Sequence, residues 1–265
     1  MKLLTSFFTL CILFLVSCTT ATKKETIKPD NSSNLSQIQT PSYAEANLKN
    51  SPSIPLTLYV NAQSGLSLRQ GTNLKSKKIL TIPYGSQIQH LSSPEHTTMT
   101  VAGITGDMVE VNYQGATGFV FSGYLSTLSP PLEEETATEY AKRLSTPERE
   151  VTVSKIKSAK GDAYGLNTTI ELPAKTWGEA YSISQSLFDI PKNIAIDLTN
   201  SKKSTVLNSR KRPKTITDEV LISRDEDNKI TEIKYLYRLR DYSRVVTIVK
   251  SNMNNYLITE EELSN

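Results

Sequence analysis

The stretch from Leu56 to Leu128 consists of short alternating apolar runs, each closed by a turn signal, and this commits it to antiparallel β structure. Leu56-Thr-Leu-Tyr-Val60 alternates as a strand, and Gly65 to Arg69 is a second β run. Gln70 to Asn73 is a loop. Lys78 to Ile82 is a strand, Pro83-Tyr84-Gly85 a turn, and Ser86 to Leu91 alternates again. Ser92 to Asp107 reads as a long loop. Met108 to Tyr113, the tight turn Gln114-Gly115 and the return Thr117 to Phe121 form a hairpin. Alternation turns Leu66, Leu68, Val109, Val111 and Val120 inward, while Gly115 and Gly118 allow the hairpin and a close backbone approach. Such even spacing predicts a small β-barrel.

Four segments carry a family resemblance. They are Gly65-Leu-Ser-Leu-Arg-Gln-Gly71, Ile79-Leu-Thr-Ile-Pro-Tyr-Gly85, Val109-Glu-Val-Asn-Tyr-Gln-Gly115 and Thr117-Gly-Phe-Val-Phe-Ser-Gly-Tyr-Leu125. In this order they resemble a bacterial SH3 (SH3b) domain, above all in the Leu-Arg-x-Gly segment and the Gly-x-x-Gly-x-Val-x-x-x-Tyr-Leu ending. Met108 stands where the family often has Trp, and the Ser92 to Asp107 segment is longer than usual. The resemblance implies binding to peptidoglycan or to a protein. It offers Tyr59, Arg69, Tyr84, Tyr113, Phe119, Phe121 and Tyr124 as a shallow ligand groove. The alternative for each is an ordinary core or turn residue.

The N-terminus carries a second resemblance. Lys2 precedes an apolar run from Leu3 to Val16. As a helix that run is ~21 Å long, short of the about 20 residues a bilayer core needs and of the right size for a secretion signal. It ends in Leu15-Val16-Ser17-Cys18, which resembles the bacterial lipobox. That resemblance implies cleavage after residue 17 and lipid attachment at Cys18, with more than one acyl chain for stable anchoring. Thr19, not Asp, follows the cysteine, which favours the outer over the inner membrane if enterobacterial sorting applies. An ordinary secretory signal is the alternative. Cys11 is the other of the two cysteines, so the processed chain has no disulfide and no cysteine-based metal site. Residues 18–53, rich in Thr, Ser, Asn, Gln and Lys with Pro29, Pro41 and Pro52, read as a tether that as a coil spans on the order of 30–35 Å.

Beyond Pro130-Pro131 a second region begins. Leu132 to Leu144 reads as a helix with Ala137, Tyr140, Ala141 and Leu144 on one face and acids and bases at the matching ends. Val151 to Ile156 and Thr168 to Leu172 are strand-like. Thr176-Trp-Gly-Glu179 is a capping box, opening a helix whose Trp177, Ala180, Tyr181, Ser184, Leu187 and Phe188 line one side until Pro191. Strands at Glu219 to Arg224, Lys229 to Arg240, Arg244 to Lys250 and Tyr256 to Thr259 form a meander with turns at 225–228, 241–243 and 252–255. Ile233, Tyr235, Tyr237 and Leu239 make one greasy face, which suits a sheet covered on one side by the Trp177 helix. Lys202, Lys203, Arg210, Lys211, Arg212 and Lys214 form a basic run without an acid, either a contact for anionic headgroups or wall polymers or a solvated loop.

The expected fold class is therefore multidomain: a small SH3-like all-β barrel, then an α+β domain with an antiparallel β-meander and one or two helices. The expected divisions are 1–17 signal peptide, 18–53 tether, 54–129 barrel, 130–149 connector helix and 150–265 the α+β domain. The formal net charge of +3 gives no argument for nucleic acid. His90 and His96 are the only histidines and both fall in the barrel segment, so Cys/His catalysis and His-rich metal sites have no basis in the C-terminal region. No Gly-x-Ser-x-Gly occurs. The expectation is a non-enzymatic, cofactor-free, lipid-anchored protein of the bacterial cell envelope. The alternatives are an envelope hydrolase targeted by the barrel and a structural or assembly lipoprotein.

Overall fold

The computed structural model describes residues 56–94, 98–200, 204–210 and 212–265, all within one compact unit. It is mostly antiparallel β structure with two α-helices among the described residues. The expected signal peptide, Cys18 and the expected tether lie outside these residues.

The first sheet has seven strands. They are β1 (Leu56–Val60), β2 (Leu66–Arg69), β3 (Lys78–Ile82), β4 (Gln87–Ser92), β7 (Met108–Tyr113), β8 (Ala116–Phe121) and β9 (Leu125–Ser126). Their order is β3-β2-β8-β7-β4-β1-β9. The expected strand positions hold to within a residue or so. Ser92 to Asp107 is not a plain loop, because β5 (Met99–Val101) and β6 (Ile104–Gly106) pair in a separate two-stranded ribbon. The sheet does not close into a hydrogen-bonded barrel: β3 and β9 end the order unpaired with each other, and β2 meets β8 only at Arg69 and Phe119. Strands this short supply too few ladder positions to go round. Leu66, Leu68, Val109, Val111 and Val120 are all buried in the sheet's core, with Val60, Ile82, Ile88 and Met108. At Gly118 a Cβ would stand 2.6 Å from the Arg69 carbonyl oxygen, so the approach of β2 to β8 requires glycine there.

Helix α1 spans Ala137–Leu144, five residues shorter than the expected Leu132 to Leu144. Glu134 takes a left-handed φ of 60°, and Glu135 folds back to accept from the Leu132 N–H at 2.9 Å. The helix starts at the Thr136 capping box, where Thr136 accepts from the Glu139 N–H and Glu139 from the Thr136 N–H. Ala137, Tyr140, Ala141 and Leu144 are buried as one face, so α1 is a core helix of the second sheet.

The second sheet also has seven strands. They are β10 (Val153–Lys160), β11 (Ala163–Leu172), β12 (Ser204–Leu207), β13 (Thr217–Arg224), β14 (Ile230–Arg238), β15 (Tyr242–Lys250) and β16 (Tyr256–Ser264), in the order β10-β11-β16-β15-β14-β13-β12. The two short strands expected at Val151 and Thr168 are one long hairpin. Its tip reaches past the core, which leaves Tyr164 72% exposed, while Ile156, 64% exposed, pairs with Asn167 on the face away from the core; together these remove the apolar alternation that would have marked the hairpin. Tyr242 and Ser243 are in β15, not in a turn. Strand β16 runs on through Glu260-Glu261-Glu262, because β11 and β15 pair with it on both sides. Strand β12 falls within the basic run.

Helix α2 (Trp177–Leu187) carries the packing between the sheets. Ala180, Ile183 and Ser184 are buried in the second sheet's cluster, and Trp177 meets Tyr256 edge-on at 5.0 Å. The opposite side is also occupied, which a one-faced helix does not anticipate. Ser182 Oγ donates to the Asn61 carbonyl at 3.2 Å, and Gln63 Nε2 donates to Ser186 Oγ at 3.0 Å. Thr176 accepts from the Glu179 N–H at 3.1 Å, but the Glu179 carboxylate does not complete the capping box. It is buried, accepting from the Lys175 N–H at 2.5 Å and from the Ser126 hydroxyl of β9.

Candidate binding sites

Two open clefts bring together residues capable of binding. The first is a groove of about 400 Å³ on the first sheet, built from the two most specific segments of the SH3b resemblance. Strand β2 contributes Leu66 and Arg69; Phe121 ends β8, and Tyr124 sits in the 3-10 turn that follows. Phe121 and Tyr124 meet edge-on at 5.6 Å. Tyr124 donates to the Val101 carbonyl at 3.4 Å, and burial pushes its phenol up. Arg69 Nη1 donates to the Ser76 carbonyl at 2.9 Å, which fixes the guanidinium and leaves further donors of its fork available. Leu74, Val101 and Lys192 complete the walls.

The other proposed groove residues are not gathered there. Phe119 lies directly opposite Arg69 in the ladder and shares its face, half-buried, without lining the groove. Tyr113 is at the far end of β7, opposite Ala116. Tyr84 turns toward α2, its hydroxyl 3.0 Å from Ser186 Oγ, and burial pushes its phenol up. Tyr59 is on β1, within electrostatic reach of Arg143. Phe121 is itself 3% exposed, so it presents little more than an edge.

The second cleft, of about 520 Å³, lies where the loop after β12 meets the polar end of the second sheet's core face. Arg210 and Arg212 of the basic run line it with Arg244, Asn208, Asp189, Asp218 and the rings of Tyr235, Tyr237 and Tyr242. Lys214 is in a turn outside it with φ 72°; Lys202, Lys203 and Lys211 lie outside the described residues. Asp218 is buried and accepts from Asn208 Nδ2 at 2.6 Å and from the Tyr235 hydroxyl at 3.1 Å. Next to this cleft Tyr242 donates to Glu262 Oε1 at 2.6 Å. Burial, reinforced by the Glu262 carboxylate, pushes Glu260 up to about 7. The sequence does not single out Arg244, Asp218 or Glu260. Their signal was parity: each is polar at a core-facing position of its strand.

His90 Nε2 lies 2.9 Å from the exposed Ser93 Oγ, and His96 is outside the described residues. Among the described residues no cluster of metal-ligating side chains occurs, and no helix is long and apolar enough to cross a membrane. No family model, curated protein or solved structure matches this chain.

Proposed function

We propose that this chain is a lipid-anchored, non-catalytic binding protein of the bacterial cell envelope, held by acyl chains on Cys18 and reaching peptidoglycan through an SH3-like first sheet. One observation carries the reading. The Leu-Arg-x-Gly segment and the Gly-x-x-Gly ending, which bear the SH3b resemblance, pair with each other through Arg69 and Phe119, and together frame the Arg69, Phe121 and Tyr124 groove. A tethered guanidinium beside aromatic edges suits ligands that combine carboxylates with apolar sugar or peptide faces. In this reading the first sheet is a partly open relative of the barrel, and the tether of residues 18–53 gives it reach. A protein ligand in the same groove is the alternative. A structural or assembly role is favoured by a separate observation: the exposed Ile156 and Tyr164 on the protruding β10–β11 hairpin.

Anchoring is tested by intact mass and detergent partitioning of the native protein beside a Cys18→Ala form; acyl mass in the wild type alone is expected, and two unmodified, water-soluble proteins would remove the anchor. Sedimentation with purified sacculi tests the ligand; the wild type is expected in the pellet. Zymography on cell-wall material tests the absence of catalysis, and clearing by the purified protein would overturn it.

A further inference from the structure

We propose that the cleft between the loop after β12 and the polar end of the second sheet binds a phosphate group, held by Arg210, Arg212 and Arg244. This site is separate from the groove on the first sheet and stands or falls without it.

The three guanidiniums come from two elements, the loop after β12 and strand β15, and line one concavity of about 520 Å³. Among the described residues none of the three is in an ion pair, although four such pairs occur elsewhere. Arg244 is the best placed. Its Nη2 donates to the Asp189 carbonyl at 3.3 Å, its guanidinium lies 5.9 Å from the centre of the Tyr235 ring, and its Nε is buried without an acceptor. A buried donor left unpaired is costly, and a ligand oxygen would relieve it. The carboxylates near Arg244 do not meet this need. Both Asp218 oxygens are engaged by Asn208 and Tyr235, Glu262 Oε1 is engaged by Tyr242, and Glu260 is held largely by burial toward its neutral form near pH 7.

The chemistry favours phosphate over a simple carboxylate. A tetrahedral oxyanion can accept from forked donors on several sides at once. The rings of Tyr235, Tyr237 and Tyr242, the last two edge-on at 6.2 Å, form a rigid wall that could also carry the apolar part of a phosphodiester. A basic surface run with no such cleft would be only a solvated loop.

The phosphate could belong to a free ion or to a lipid headgroup. The test is calorimetric titration of the full-length protein in non-ionic detergent with inorganic phosphate and, separately, with glycerophosphoglycerol, the water-soluble headgroup of phosphatidylglycerol. Saturable binding of at least one is expected, weakened about 10-fold or more by Arg244→Gln and by Arg210→Gln/Arg212→Gln. The double variant changes only exposed loop side chains, so it guards against a folding defect in Arg244→Gln. Preference for inorganic phosphate identifies a soluble ligand, and preference for the glycerol diester identifies a headgroup; either supports the site. No binding of either probe, or binding unchanged in both variants, overturns it.

Discussion

The two sheets have seven strands each, yet they are specified differently. The first is written locally: short runs, each ended by its own Gly, Pro or Asn turn, with glycine where β2 and β8 come close. The second is written at long range. Its strands run up to ten residues, its inner strand β16 is flanked by β11, which is about ninety residues away in sequence, and its core face is shared by α1, α2 and five strands. Local writing makes a region's strands legible in the sequence. Long-range writing lets polar residues such as Arg244 and Glu260 occupy core-facing positions at the sheet's end, where a site can form without a motif.

Glycine substitutions should show this difference most strongly. In Gly165→Ala the new Cβ would collide with the Glu262 carbonyl oxygen, one position from the end of the β11–β16 ladder, in a strand paired on both sides. We expect a loss of about 4 kcal/mol by denaturant unfolding. Gly118→Ala meets the Arg69 carbonyl at 2.6 Å, but there β2 pairs with β8 at a single position and can shift. About 2 kcal/mol is expected. Equal losses would mean that the first sheet is as rigid as the second.

Glu179 ties the two regions together. Glu179→Ala leaves the Lys175 N–H without its acceptor and removes the Ser126 hydroxyl's bond to α2, Ser126 keeping the Leu128 carbonyl, and should cost about 2 kcal/mol. Because the bond crosses from α2 to β9, the variant should also separate one unfolding transition into two in calorimetry. A single transition at lower temperature would show that the remaining contacts, among them Ser182 with Asn61 and Leu198 with Gly103, suffice to couple the two regions.

The smallest effect concerns pH. Glu260 is pushed from an ordinary 4.5 to about 7 in the fold, so the folded state favours its protonated form. That contribution is fully present below about 4.5 and is lost as pH rises through about 7. Glu260→Gln should therefore match the wild type at acid pH and exceed it at pH 8 by about 1 kcal/mol, partial solvation of the side chain keeping the gain small. A variant less stable than the wild type at pH 8 would show that the charged carboxylate is needed there.

The strands of the first sheet and the apolar face of α1 were legible because each depends on neighbours within a few residues. The start of α1 was not, since Glu134 and Glu135 look like helix formers until the left-handed turn and the Arg143 pair claim them. The β10–β11 hairpin was hidden because its tip has no core to alternate toward. Of the seven proposed groove residues, Arg69, Phe121 and Tyr124 came together, whereas Tyr84 was drawn to α2 by a partner 102 residues away that no local pattern reveals. The basic run was visible, but its cleft required Arg244 from another strand.

The most direct measurement of the central claim is the affinity of the full-length protein for purified sacculi, compared across the two regions. Arg69→Gln/Tyr124→Leu should weaken it about 10-fold or more with little change in melting temperature, while Arg210→Gln/Arg212→Gln should leave it unchanged. No affinity in the wild type, or a loss confined to the second-sheet variant, would contradict a wall-binding role for the first sheet.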